Sequence, residues 1–254
     1  MIKREDALKI AIFIILILIP GVFSVWCEPL PIPKIGLDIE TAENPKDVAL
    51  SMQILFLLTI LTLAPSLLIM LTSFTRIVIV LSFTRNALGT QQMPPNQVLI
   101  GLALFLTFFV MSPVISEINE TAFKPYTNNE ISQEEAIKKA SVPIRNFMFK
   151  YTREKDLALF LKLGQVNKPL AKSDIPTSAL IPAFIISELK TAFEIGFFLY
   201  IPFLMIDMIV SSTLMSMGMM MLPPIMISMP FKILLFVMVD GWNLIIKSLI
   251  LGFK

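Results

Sequence analysis

The chain has 254 residues, of which 56% are hydrophobic and only 16% charged, with a net charge of +2; its mean hydropathy is +0.79. Soluble domains carry about 25% charged residues, and here apolar runs of membrane-spanning length recur, so the composition describes a polytopic membrane protein with no electrostatic footprint for nucleic acid. It has no histidine and one cysteine, Cys27, which excludes His-dependent triads, His/Cys zinc sites and internal disulfides. There is no glycine-rich nucleotide loop. Scattered carboxylates form no catalytic constellation, so neither an enzyme nor a cofactor is expected.

Residues 1–24 run from a charged start through a wholly apolar Ile10–Ile19 to a Pro20-Gly21 break and small residues before Ser24. This pattern predicts a secretory signal peptide, with cleavage near Ser24. Residues 25–46 follow as a proline-rich linker on the outer face of the membrane. Cys27 lies within it, and Trp26 is too bulky to precede a lipidated cysteine.

Val48 to Leu88 is a long apolar arm with Pro65 inside it. As one helix it would reach roughly 60 Å, against a bilayer core of about 30 Å. A kink at Pro65, or packing against protein, is therefore expected. Arg76 and Arg85 in its second half favour protein packing. Gly89 and the Pro94-Pro95 pair mark a hairpin tip, and Asn96 to Ile118 returns as one span. Residues 47–118 thus read as a first helical hairpin.

Residues 119–176 are polar and of mixed charge. Ser132-Gln-Glu-Glu135 resembles a capping box, with Ile131, Ala136, Ile137 and Ala140 on one helical face. A second short helix is expected over Arg153–Leu163, ended by Gly164. This predicts a small helical domain, placed outside the membrane by the signal peptide. The ten Lys/Arg between Lys124 and Lys172 pull the other way, but over a segment near the length where that rule fades.

Residues 177–254 read as a second hairpin. Its long arm, Leu180 to Met221, is expected to break at Pro202. Its tip, Leu214-Met-Ser-Met-Gly-Met-Met-Met-Leu-Pro-Pro224, holds five methionines. Pro223 and Pro224 should end a helix arriving from the N-terminal side. Methionine is flexible and polarizable, which suits a deformable seal; ordinary apolar filler beside a turn is the alternative. A shorter arm, Ile225 to Leu251, returns. The long arm, Pro-Pro tip and short return occur twice, a weak hydropathy repeat with both tips on the cytoplasmic side.

Glu188, Glu194, Asp207, Lys232 and Asp240 lie in the apolar arms. Buried charges need partners, and spacings within the arms supply none, so partners must come from other helices or other subunits. Static pairing is one reading. A proton relay through Asp207 and Asp240 is the other, and it would make the chain an ion-coupled secondary transporter.

Four stretches carry a specific resemblance. They are Thr72-Ser-Phe-Thr-Arg-Ile-Val-Ile-Val-Leu-Ser82, Ala87 through Gly89-Thr-Gln-Gln-Met-Pro-Pro-Asn96 to Phe108, Pro182-Ala-Phe-Ile-Ile-Ser-Glu-Leu-Lys-Thr-Ala-Phe-Glu-Ile-Gly-Phe197, and Gly218-Met-Met-Met-Leu-Pro-Pro224. They closely resemble the FliP family, over roughly Val48 to Lys254. That resemblance implies an all-α membrane protein with two long kinked hairpins, four main apolar segments and a small helical extramembrane domain. It implies a pore-forming subunit of the flagellar type III export gate, in the bacterial inner membrane at the flagellar basal body. The homo-oligomer would be a pentameric ring, with FliQ, FliR, FlhB, FlhA and the assembly factor FliO as partners and unfolded flagellar subunits as cargo. The family's methionine gasket would fall on Met219, Met220 and Met221. Its inter-subunit ion pairs would fall on Glu188 with Lys232, and on Arg153. A non-transporting assembly scaffold is a third, weaker reading.

Overall fold

A computed structural model describes residues 45–90, 92–165, 171–219 and 221–253. The expected signal peptide and nearly all of the linker lie outside the described residues. So does Met220. The chain divides into two units, Met1–Gln53 and Ile54–Lys254; of the first, only the opening turns of one helix are described.

Every regular element among the described residues is helical. Helix α1 spans Pro45–Met70 and runs through Pro65 without ending. Of the two expectations for this arm, a kink at Pro65 or packing against protein, the helix shows no interruption at Pro65, and the first break comes after Met70, at Leu71–Ser73. A turn there binds Thr72 to the Ile69 carbonyl through both its N–H and its hydroxyl. In the second unit α1 is apolar on its outward faces: Leu55, Phe56, Leu57 and Leu61 are all exposed. Thr59 and Thr62 return their hydroxyls to the carbonyls four residues back, at 2.8 Å each, so they present no free polar group to lipid.

Helix α2, Phe74–Ala87, is the centre of the fold. Ile77, Val80, Leu81 and Ala87 are buried on it, against α3 on one side and α7 on the other. Helix α3, Asn96–Ile118, does not stop where the sequence suggests. It continues through a π-helical turn, Asn119–Phe123, into α4, Lys124–Thr127. The result is a continuous 32-residue rod, Asn96–Thr127, long and apolar enough to cross a membrane.

Helix α5 covers Gln133–Tyr151. Its Ser132 hydroxyl accepts the Glu135 N–H at 3.3 Å, the first half of the expected capping box. Ala136, Ile137 and Ala140 face the end of the rod across a shallow apolar groove, beside Ala122 and Phe123. Helix α6, Glu154–Leu163, is capped by Arg153 and Gly164. Helix α7, Thr177–Ser216, is 40 residues long and passes through both Pro182 and Pro202. The expected break at Pro202 is absent: the ring takes the place of one hydrogen bond in a helix held on its flanks by α2, α6 and α8. At about 1.5 Å per residue α7 is roughly 60 Å long, twice a bilayer core.

The return arm is not one straight helix. Helix α8, Pro224–Met238, and helix α9, Gly241–Leu251, meet at 63°. Asp240 makes the corner at φ +51°. Gly241 follows because the Phe236 ring lies where its Cβ would be, 2.3 Å away. Small residues let the helices approach. Ala103, Ala183 and Ala192 are fully buried, and a Cβ on Gly196 would sit 2.6 Å from the Phe83 ring of α2. Close approach of this kind is how helices associate where lipid supplies no hydrophobic drive.

Candidate functional site: two hairpin tips and three ion pairs

The Met-rich tip is closed by backbone bonds. Helix α7 ends at Ser216, with Met217 as its cap. Gly218 takes φ +73°. Its N–H reaches the Met215 carbonyl at 3.1 Å, and the Met219 N–H reaches the Leu214 carbonyl at 3.0 Å. These are the two bonds of a Schellman closure, and glycine is the residue that accepts its left-handed position without strain. Pro223 then caps α8, with Pro224 at its first position, where a missing N–H costs nothing. The helix therefore ends seven residues before Pro223, and Met219 and Met221 stand in the connecting loop. Met221 is 98% exposed and Met217 71%. From Ser211 to Phe231 there is no charged residue.

The first tip repeats this chemistry. Gly89 has φ +77°, and its N–H binds the Asn86 carbonyl at 3.1 Å. The Thr90 hydroxyl takes the Arg85 carbonyl at 3.3 Å and the Met93 carbonyl at 2.5 Å. Arg85 braces the far side, its Nη1 donating to the Asn96 side chain at 2.5 Å and to the Pro94 carbonyl at 3.3 Å. The Met93–Pro94 peptide is cis, and Pro95 caps α3. A Cβ on Gly89 would lie 3.9 Å from Ile225 and 4.0 Å from the Lys232 ammonium, so the first tip sits beside the opening turns of α8.

Three ion pairs form within the chain, with partners other than those expected between subunits. Glu188 does not meet Lys232. It is fully buried and takes Arg76, itself 5% exposed, in a two-pronged contact: Nε to Oε2 at 2.9 Å, and Nη2 to Oε1. The third nitrogen of Arg76 donates to the Gly252 carbonyl at 3.3 Å. Its flat face lies 4.0 Å over the Phe253 ring and 5.5 Å from that of Tyr151. The Tyr151 hydroxyl donates to the Phe253 carbonyl at 2.6 Å. Arg76 thus binds α2, α5, α7 and the last described residues around one charge.

Lys232, 2% exposed, pairs with Asp207 at 2.6 Å. The Ser228 hydroxyl holds the other Asp207 oxygen at 2.5 Å. Within the chain each cation meets a carboxylate that a helix one layer away presents at the right height. Spacing along one arm carries no such information, so the sequence alone does not supply these partners. Asp240 is exposed at the corner, and among the described residues it shares no hydrogen-bond or ion-pair partner with Asp207.

Arg153 caps α6 and faces α7. Its guanidinium binds Glu194 at 3.0 and 2.6 Å and the Thr191 hydroxyl at 3.2 Å. The bond to Glu194 pushes the Arg153 pKa further above its ordinary value, against burial, so the group is charged at every physiological pH. Ser187 accepts the Arg153 N–H at 3.0 Å and donates to Asp156 at 2.8 Å. Ser187, Thr191 and Glu194 follow i, i+4, i+7 spacing and form one polar face of α7, with Glu188 about a quarter turn round the helix. That stripe is legible in the sequence; the roles of Tyr151, Ser228 and Phe253 are not.

A family profile described as the FliP family matches residues 57–249, which include both tips and all three pairs. The chain belongs to the FliP family. Among relatives, the flagellar biosynthetic protein FliP of Bacillus subtilis (strain 168) is 60% identical over 217 residues, covering 85% of this chain and 98% of that protein. The protein of the same name from Pectobacterium carotovorum is 56% identical over 231 residues, 91% of this chain and 88% of that one. That of Aquifex aeolicus is 53% identical over 206 residues, covering 80% and 86%. The FliP-family match starts beyond the expected signal peptide and linker.

Proposed function

We propose that this chain is a pore-forming subunit of the flagellar protein-export gate in the bacterial inner membrane, one of several copies ringing the path of unfolded flagellar subunits. Its relatives' names give the flagellar setting. The observation that carries the pore reading is the tip between α7 and α8. It is an uncharged loop entered through a backbone-bonded closure at Gly218, with Met217, Met219 and Met221 exposed. Copies meeting at an axis would bring Met219, Met220 and Met221 together. Thioethers there exclude hydrated ions, yet yield to a polypeptide because each has three rotatable bonds and weak contacts. A helix twice the thickness of a bilayer core supports a ring that rises out of the membrane. A pentameric homo-oligomer with FliQ and FliR, served by FlhA, FlhB and FliO, is the assembly this reading takes.

The test replaces Met219, Met220 and Met221 together by Ala. The Gly218 closure is untouched, so the ring should assemble while its seal opens. Cells should leak sodium and chloride and grow slowly. A triple variant that assembles and leaks no more than the parent would make the methionines filler and end the gasket reading.

A further inference from the structure

The 63° corner between α8 and α9 is a built feature. Phe236 is 5% exposed and meets Trp242 edge-on with ring centroids 5.3 Å apart. Together with the left-handed Asp240 and the side-chain-free Gly241, it holds the corner open. Under the corner lies a recess of about 540 Å³, walled by Phe198, Pro202 and Phe203 of α7, Leu235 of α8, and Leu244 and Ile245 of α9. That volume is within the usual range for ligand pockets, about 300–1,000 Å³. A single hydrocarbon chain is far slimmer than a helix, which is about 10–12 Å across with its side chains, and suits a recess of this volume.

A second recess, about 400 Å³, adjoins the first and shares Val239, Leu244 and Ser248 with it. It is lined by Asp240, Asn243 and Lys247, all exposed. Asn243 and Lys247 are four residues apart on one face of α9, and Asp240 borders the same recess from the corner. Among the described residues neither Asp240 nor Lys247 has an ion-pair partner. Seven residues is about 10 Å of rise, beyond the reach of a helical i, i+4 pair. An ammonium, an amide and a carboxylate therefore stand in a row beside an apolar slot, in a protein that spans a bilayer.

We propose that this corner is a binding site for a zwitterionic aminophospholipid of the phosphatidylethanolamine type. The phosphate sits on Lys247 and the Asn243 amide, the primary ammonium donates to Asp240, and one acyl chain fills the recess under the corner. Asp240 sets the class: it attracts a head group carrying an amine and repels one that carries only negative charge.

The experiment uses the full chain, delipidated in detergent and titrated separately with dioleoyl phosphatidylethanolamine and dioleoyl phosphatidylglycerol. Native mass spectrometry reads the bound lipid. One phosphatidylethanolamine per chain is expected, bound more tightly than phosphatidylglycerol. Leu244→Trp, at a residue 63% exposed, fills the slot. It should weaken binding about tenfold, the loss expected when two methylenes are kept in water. Asp240→Asn should remove the preference for the amine head group, and Lys247→Glu should weaken both lipids. Equal binding of both lipids by the parent, or unchanged binding by Leu244→Trp, overturns the proposal. A photoreactive amino acid at position 244, activated in intact membranes, gives an answer independent of those variants. A lipid adduct supports the site. An adduct to a second copy or to another protein shows that protein covers the corner, and also overturns it. Neither result bears on the methionine seal.

Discussion

Replacing Glu188 by Ala tests the geometry around Arg76 most severely. Glu188 is fully buried and Arg76 is 5% exposed, so the substitution strands a guanidinium inside the protein. What is left to it is the Gly252 carbonyl at 3.3 Å and the Phe253 ring at 4.0 Å. Removing one member of a buried pair costs about 3–5 kcal/mol. At about 2–4 °C per kcal/mol for a domain of this size, the melting temperature should fall by roughly 10 °C. Glu188→Gln keeps the volume and one acceptor but loses the charge, and should cost about 2–3 kcal/mol. Replacing both members, Arg76→Met with Glu188→Leu, removes the stranded charge and should recover most of the loss. The assay is thermal unfolding of the detergent-purified chain, followed by fluorescence-detected size exclusion, on the complete double-mutant cycle. A cycle of Glu188→Ala with Lys232→Ala serves as the control. Groups without a shared partner should add to within about 0.5 kcal/mol. The reasoning fails if Glu188→Ala costs less than about 1 kcal/mol, or if Glu188 couples to Lys232 and not to Arg76.

Three further expectations follow from particular contacts. Gly196→Ala should drive a Cβ into the Phe83 ring and cost about 1–3 kcal/mol; Phe83→Leu in the same chain should relieve it, as read by melting temperature. Gly218→Val forces a branched residue into the left-handed tip position and should cost at least about 1–2 kcal/mol, with increased protease cleavage near Met219 as the readout. Lys232→Met leaves the Asp207 carboxylate with only Ser228. It should destabilise the α7–α8 hairpin, and Asp207→Asn in the same chain should restore much of the loss; failure of that rescue would show that the pair is not what joins the two helices.

The places where the chain turns were legible because they rest on local chemistry. Gly89 and Gly218 are needed for their backbone angles, Pro224 starts a helix, and Ser132 caps one. The proline breaks were misplaced because a proline inside a helix removes one bond, and tertiary packing decides whether the helix continues. Pro65, Pro182 and Pro202 are all carried through. The true interruptions, at Leu71–Ser73 and at Asp240, have no proline. Asp240 gave a sequence signal only in the glycine after it. The ion pairs were half legible. A charge in an apolar arm announces that it has a partner, but only the crossing of α2 over α7 decides that Arg76 stands level with Glu188.

The Arg76 cluster also imposes an order in time. Arg76 precedes Glu188 by 112 residues and Gly252 by 176. At about 5–20 residues per second, its counter-charge leaves the ribosome roughly 6–22 s after it does. Through that interval α2 carries an unmatched cation, so it has no stable seat among hydrocarbon tails and waits in contact with water or head groups. The central helix of the fold is thus among the last to settle. Its docking is finished only when Gly252 and Phe253 arrive, and a nascent chain arrested before them should be a ready substrate for membrane quality-control proteases.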